Sequence, residues 1–232
     1  RRNYAALYAR CRQLASVLAA VGLGRADTVS VMLLNTPAMI EAHYGVPMSG
    51  AVLHSLNTRL DSATIAFQLD HAEAKILIVD IALLPRVREA LALAKSNPQL
   101  IIYDDAEFDG QRSGYDETEY ETFIASGDTD FAWKMPNDEW DAITINYTSG
   151  TTGDPKGVLY SHRAVVLHAM ASGLAGAFGF DAFDVVMPCS SLYHATAWGL
   201  PFGAPINGCK LVMPCDKMDG ASLQELIVNE GV

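Results

Sequence analysis

Strand-like apolar runs alternate with helix-periodic segments through the first hundred residues of this chain of 232, and this alternation restricts the fold more than any other feature. From Tyr4 the positions Tyr4, Leu7, Tyr8, Cys11, Leu14, Ala15 and Leu18 keep the three-and-four spacing of an amphipathic helix, with Asn3 placed to cap it and Gly22 to stop it. Val29 to Leu34 reads as a buried strand. Thr36-Pro37 then supplies a capping hydroxyl and a first-turn proline for a second helix. Ala51 to His54 is strand-like, Asp61 caps a helix reaching His71, and Ile76 to Val79 is a short apolar run. Leu83 to Ser96 is helical until Asn97-Pro98 ends it, and Leu100 to Tyr103 is a further strand. Such a pattern implies an α/β fold, with mostly parallel sheets covered by helices.

Acidity then interrupts the alternation. Between Asp104 and Asp141 there are thirteen acidic residues against Arg112 and Lys134, a local excess equal to the whole formal net charge of −11. This stretch reads as a solvated, partly irregular linker, with Phe123, Phe131 and Trp133 able to pin parts of it to a core. The expected organisation is a first αβ lobe over 1–103, the acidic linker over 104–141, and a second αβ segment over 142–232. In the last part, Ala142 to Tyr147 and Gly157 to Tyr160 are strands and Ser161 caps a helix with the apolar line Ala164, Leu167, Met170, Ala171, Leu174 and Phe178. Val185 to Met187 and Cys209 to Met213 are further strands, and Ser222 with Glu225 forms a capping box for a final helix.

Between the two strands of the last part lies Tyr147-Thr148-Ser149-Gly150-Thr151-Thr152-Gly153-Asp154-Pro155-Lys156-Gly157. Glycines allow backbone N–H groups to turn toward an anion, hydroxyls add donors, and lysine adds a compact positive charge, so the run is suited to phosphate. It is not the common P-loop, whose lysine directly follows glycine and precedes Ser or Thr. Here Lys156 follows Pro155 and precedes Gly157; Asp154 and Pro155 shape the turn. Further on, Tyr193-His194 and Ala197-Trp198-Gly199 follow a strand, where open α/β sheets place ligands.

The order of the loop resembles the signature of the adenylate-forming superfamily of acyl-CoA synthetases, luciferases and peptide-synthetase adenylation domains. The Tyr193-His194 segment resembles a second motif of that superfamily, with Ala197-Trp198-Gly199 in the manner of fatty-acyl-CoA synthetases. Asn35-Thr36-Pro37, Gly50-Ala51-Val52 and Leu56-Asn57-Thr58-Arg59-Leu60 also look like the opening portion of such enzymes, as turns, caps and strand starts. The resemblance implies ATP, Mg²⁺ and coenzyme A as cofactor and co-substrates, with a carboxylic acid attacking the α-phosphate to give an acyl-adenylate.

By that resemblance Ser149, Gly150, Thr151, Thr152, Gly153 and Lys156 hold the β- and γ-phosphates, and Thr148 also meets Mg²⁺. His194 lines the site near the acyl carboxylate as the catalytic candidate, and Tyr193 and Trp198 border the acyl tunnel. The closest flavour is a short- or medium-chain acyl-CoA ligase. An adenylating enzyme with another acceptor, or a non-catalytic nucleotide-binding module, are the rival readings. Superfamily members are normally more than twice as long, so the expectation is an N-terminal portion lacking the later motifs and inactive alone.

Charge and composition exclude other classes. The negative balance argues against nucleic-acid binding and anionic membranes, and no uninterrupted apolar stretch of about 20 residues suggests a membrane span. Cys11, Cys189, Cys209 and Cys215 lack metal-ligand spacing and read as reduced, core-type thiols of a cytoplasmic protein. His43, His54, His71 and His168 sit in core-like patterns. The oligomeric state stays open, a homodimer included.

Overall fold

A computed structural model describes residues 1–148 and 154–232, with Ala195 and Thr196 described in backbone only. Helix α1 (Tyr4–Ala20) opens the chain, capped by the Asn3 side chain, which accepts from the Ala6 N–H. It is followed by β1 (Thr28–Met32), α2 (Pro37–Ser49), β2 (Val52–Ser55) and α3 (Ser62–His71), whose Asp61 cap accepts from Thr64. Then come β3 (Ala74–Asp80), a short 3₁₀ turn, α4 (Leu84–Leu93) and β4 (Gln99–Tyr103). The acidic stretch contains β5 (Thr118–Glu119) and α5 (Tyr120–Ala125). After it lie β6 (Ala142–Tyr147), β7 (Gly157–Ser161), α6 (His162–Ser172), β8 (Val185–Val186), α7 (Leu200–Asn207), β9 (Lys210–Leu211) and α8 (Gly220–Glu230).

Among the described residues seven strands form one sheet in the order β5-β4-β3-β1-β2-β6-β7, parallel except for the β6–β7 hairpin; β8 and β9 make a separate parallel pair. The sheet therefore runs across the acidic stretch, joining β6 to β2. Its central strands are buried on both faces, which is why they read as mainly apolar runs, with Ser30 and His54 buried against each other. Val29, Val31, Leu53, Ile76, Ile78 and Ile101 pack toward α1, α2 and α5. Met32, Leu77, Val79 and Ile102 pack toward α3 and α4 on the opposite face. Leu14 and Leu18 of α1 are fully buried, each contributing about 1.5–3 kcal/mol through burial.

The acidic stretch is anchored where it carries apolar residues. Tyr120, Phe123 and Ile124 enter the first core, and the Tyr120 hydroxyl donates at 2.9 Å to Glu41, a fully buried carboxylate on α2. Arg10 donates to the same carboxylate through Nε at 2.7 Å, and Arg2 joins them. Removing one partner from a buried ionic set of this kind costs about 3–5 kcal/mol, so this network ties α1, α2 and α5 together.

Four local expectations differ. Thr36 precedes α2 but makes no side-chain cap bond; the Met39 N–H is taken by the Thr36 carbonyl at 3.1 Å, and the hydroxyl is buried without a partner among the described residues. Asp219, not Ser222, caps α8, because its carboxylate reaches the N–H groups of Ala221 and Ser222 and also the Ser222 hydroxyl. Helix α6 ends at Ser172, and its apolar line faces outward, with Leu167 51% and Met170 58% exposed. Periodicity shows that a face exists but does not name its partner: α7 packs instead on the Ala169 and Ser172 side, where a Cβ on Gly203 would approach the Ser172 Oγ to 2.7 Å. Lastly, Cys189 is exposed and Cys215 half-buried, while Cys11 and Cys209 are buried as expected.

Candidate functional site

The phosphate-loop sequence leaves the sheet at the end of β6 and returns at the start of β7. Tyr147 pairs with Gly157 as the last rung of the hairpin. Beyond it the Thr148 N–H donates to the Lys156 carbonyl at 3.0 Å, and the Lys156 N–H makes a longer contact with Thr148 Oγ1 at 3.4 Å. These bonds set the neck of the loop and leave Thr148 and Lys156 exposed at the carboxyl end of β6. Ser149, Gly150, Thr151, Thr152 and Gly153 lie outside the described residues.

Two buried asparagines bring the Tyr193-His194 segment to that neck. Asn35, just past β1, donates through Nδ2 to the carbonyls of Pro188 and Ser190, both at 3.0 Å, and accepts from the Leu192 N–H at 2.9 Å. Asn146 of β6 donates to the Tyr193 carbonyl at 3.1 Å. Residues 188–194 thus cross the carboxyl ends of the central strands, the crevice position of doubly wound sheets. Asn146 Oδ1 is buried with no partner among the described residues, an acceptor held two residues before Thr148. Neither asparagine stood out as a site residue. The available signal was an amide closing or interrupting an apolar strand run, Leu33-Leu34-Asn35 and Ile145-Asn146.

Tyr193 is half-buried against the first core, whereas His194 is exposed. Trp198, the third candidate on this segment, is 69% exposed with its ring edge against Phe178 at 6.3 Å. It belongs to a run of three left-handed residues, Ala197, Trp198 and Gly199, with φ of 44°, 61° and 75°. The two non-glycine members store roughly 1–3 kcal/mol each, a cost that tends to concentrate at functional turns. Gly199 has a second constraint: a Cβ there would sit 2.5 Å from His168 Nδ1. His168 is exposed, contrary to its core-like pattern.

On the opposite face of β6, the Tyr147 ring lies 5.0 Å from that of His54, and its hydroxyl is hydrogen-bonded to His71 Nδ1 at 2.7 Å. Burial pushes the Tyr147 phenol up to about 12, so it keeps its proton. His54 is fully buried and bonded to Ser30 through Nδ1 at 2.8 Å; desolvation pushes it down to about 4 and keeps it neutral. His71, read from the sequence as a core residue, is exposed at the end of α3.

Among the described residues no group of three His, Cys, Asp or Glu could hold a metal. A hydroxyl such as Thr148 can offer one oxygen to a hard cation that otherwise keeps water and phosphate ligands, and this is the usual manner of Mg²⁺. The donor set therefore fits Mg²⁺ carried on a phosphate and does not fit a protein-caged metal. An apolar cavity of about 620 Å³ between α2, α6 and α7 is lined by Ile143 and Phe202, toward the amino end of β6 and away from this chemistry.

A family model described as AMP-binding enzyme matches residues 1–232. The chain belongs to the AMP-binding enzyme family. Within that family it is 38% identical over 96% of its length to a medium-chain-fatty-acid–CoA ligase of Ectopseudomonas oleovorans, and 40% identical over 100% to a long-chain-fatty-acid–CoA ligase of Thermus thermophilus. It spans 41% of each of those two proteins. Among solved structures, the N-terminal domain of FACL13 from Mycobacterium tuberculosis superposes with a TM-score of 0.80 at 26% identity, covering 99% of this chain and 54% of that one. The fold is also that of a long-chain-fatty-acid-CoA ligase from Archaeoglobus fulgidus, with a TM-score of 0.84 at 21% identity, 99% of this chain and 43% of that one. The expected α/β architecture is thus the N-terminal architecture of AMP-binding CoA ligases. No helix among the described residues is long and apolar enough to cross a membrane.

Proposed function

We propose that this chain is the phosphate-gripping part of an ATP-dependent acyl-CoA ligase that acts through an acyl-adenylate, with short- and medium-chain carboxylic acids as favoured substrates. The observation that carries the reading is the joining of two motifs: Asn146, in the strand that leads into Thr148 and Lys156, also holds the backbone of Tyr193. Phosphate chemistry and a histidine-bearing substrate segment thereby share one strand end.

In this reading the Lys156 ammonium and the loop N–H groups offset charge developing on the departing pyrophosphate, which is the main contribution a preorganised site makes to such a transfer. Thr148 offers its hydroxyl to Mg²⁺, which when bound supplies further charge neutralisation. His194 donates a hydrogen bond to the acyl carboxylate or carbonyl, and Tyr193 and Trp198 border the acyl chain. Coenzyme A is the thiol acceptor of the second step. In this reading the enzyme works in the cytoplasm, binds no nucleic acid, needs no membrane span and is compatible with a homodimer.

The test is to incubate the enzyme that carries this chain with ATP, Mg²⁺, a panel of carboxylic acids of increasing length, and coenzyme A. Formation of AMP together with an acyl-CoA thioester is the expected outcome. Adenylate trapped as hydroxamate without thioester would assign another acceptor, and no AMP with any acid would refute adenylation.

A further inference from the structure

We infer that His71 is a positioning residue for Thr148 and Lys156, the described neck of the phosphate motif, acting through the Tyr147 hydroxyl; this rests on the nucleotide reading proposed above. Tyr147 is the last residue of β6 and the cross-strand partner of Gly157, so it sits one residue from Thr148 and, across the hairpin, one from Lys156. Its ring lies over the glycine: a Cβ on Gly157 would come within 3.4 Å of Tyr147 Cζ and 2.8 Å of Ile145 Cδ1. The absence of that Cβ lets an aromatic cover the hairpin at its neck, a contact that fixes register where the glycine itself packs nothing.

Two neighbours restrain the ring, and a third holds one of them. The buried, neutral His54 lies behind the ring at 5.0 Å, itself held by Ser30. His71 takes the hydroxyl at 2.7 Å, and Phe67 stacks on the His71 ring at 5.6 Å. The tie therefore runs from α3 through His71 and Tyr147 to the pair of backbone groups that open and close the loop. Asn146, the preceding residue, points to the other face and holds Tyr193, so adjacent side chains of β6 fasten the neck from both sides of the sheet.

The test uses this chain and three variants, Tyr147→Phe, His71→Ala and the double variant, with His71→Asn as the conservative exchange. Two quantities are read on each: amide hydrogen exchange at Thr148, and affinity for Mg-ATP by calorimetry, with thermal midpoints as control. Loss of one neutral hydrogen bond predicts about three- to tenfold faster exchange at Thr148 and a comparable loss of Mg-ATP affinity. Because both single variants break the same bond, the double variant is no worse than either, and His71→Asn recovers part of both effects. Unchanged exchange in both single variants overturns the inference. Faster exchange with unchanged ATP affinity also overturns it, since the tie would then be structural only. Failure of the unsubstituted chain to bind Mg-ATP sinks the nucleotide reading and the positioning role with it, while the exchange result still reports the tie separately.

Discussion

Asn35 gives the sharpest prediction about how the fold presents its site. Three hydrogen bonds of 2.9 to 3.0 Å leave this 6%-exposed side chain for the backbone of Pro188, Ser190 and Leu192. At about 1 kcal/mol net for each, Asn35→Ala should cost about 3 kcal/mol in urea unfolding. Asn35→Asp preserves the volume and the bond from Leu192 but turns a donor into an oxygen facing two carbonyls. It should cost at least as much at pH 7 and recover partly as pH falls, when the introduced carboxyl takes up a proton and can donate to one carbonyl. In a Trp133→Phe, Trp140→Phe background, the remaining Trp198 fluorescence reports whether the segment beyond Tyr193 shifts; both variants should change it. A loss under 1 kcal/mol for Asn35→Ala, or an Asp variant more stable than the Ala variant at pH 7, would refute the clamp.

Two further outcomes follow from the same geometry. His43 and His54 are both pushed by burial down to about 4 from 6.5. Their folded pKa values lie below the unfolded ones, so the unfolded chain binds more protons between those limits and stability falls as pH drops from 6.5 to 4, by about 3 kcal/mol for each. Asp80, pushed by burial up to about 6, acts in the opposite sense, adding stability as pH falls from 6 toward 3.8, also by about 3 kcal/mol. Unfolding midpoints across pH 4–7 should therefore show a net acid loss that His54→Gln reduces; a flat profile contradicts the assignment. Gly199→Ala meets both a left-handed φ of 75° and His168 Nδ1 at 2.5 Å. It should destabilise by roughly 1–3 kcal/mol and move Trp198, and removing the ring with His168→Ala should restore only the steric part.

The parallel sheet was legible because its strands are sealed on both faces, so Ile76 to Val79 is wholly apolar and Val29 to Leu34 is interrupted only by the buried Ser30. Caps were legible where one side chain had no competitor, as at Asn3, Asp61 and Ser161. They misled where the helix starts earlier than the motif suggests, as at Asp219, three residues before Ser222, and where the Thr36 carbonyl takes an N–H that its own hydroxyl could cap. Among the candidate site residues, Thr148 and Lys156 were legible from phosphate chemistry, and Tyr193 and His194 from the resemblance to a family motif. Asn35, Asn146 and His71 were not, because their partners are 47 to 157 residues away and two of the three bind backbone groups. Recognition of a carbonyl leaves no complementary side chain to find in the sequence.

If the Lys156 ammonium neutralises phosphate, removing it must weaken nucleotide binding. Calorimetric titration of Mg-ATP into this chain and into Lys156→Ala should show measurable binding to the first and a loss of tenfold or more, about 1.4 kcal/mol, in the second. Equal, measurable affinity in the two proteins would contradict the account.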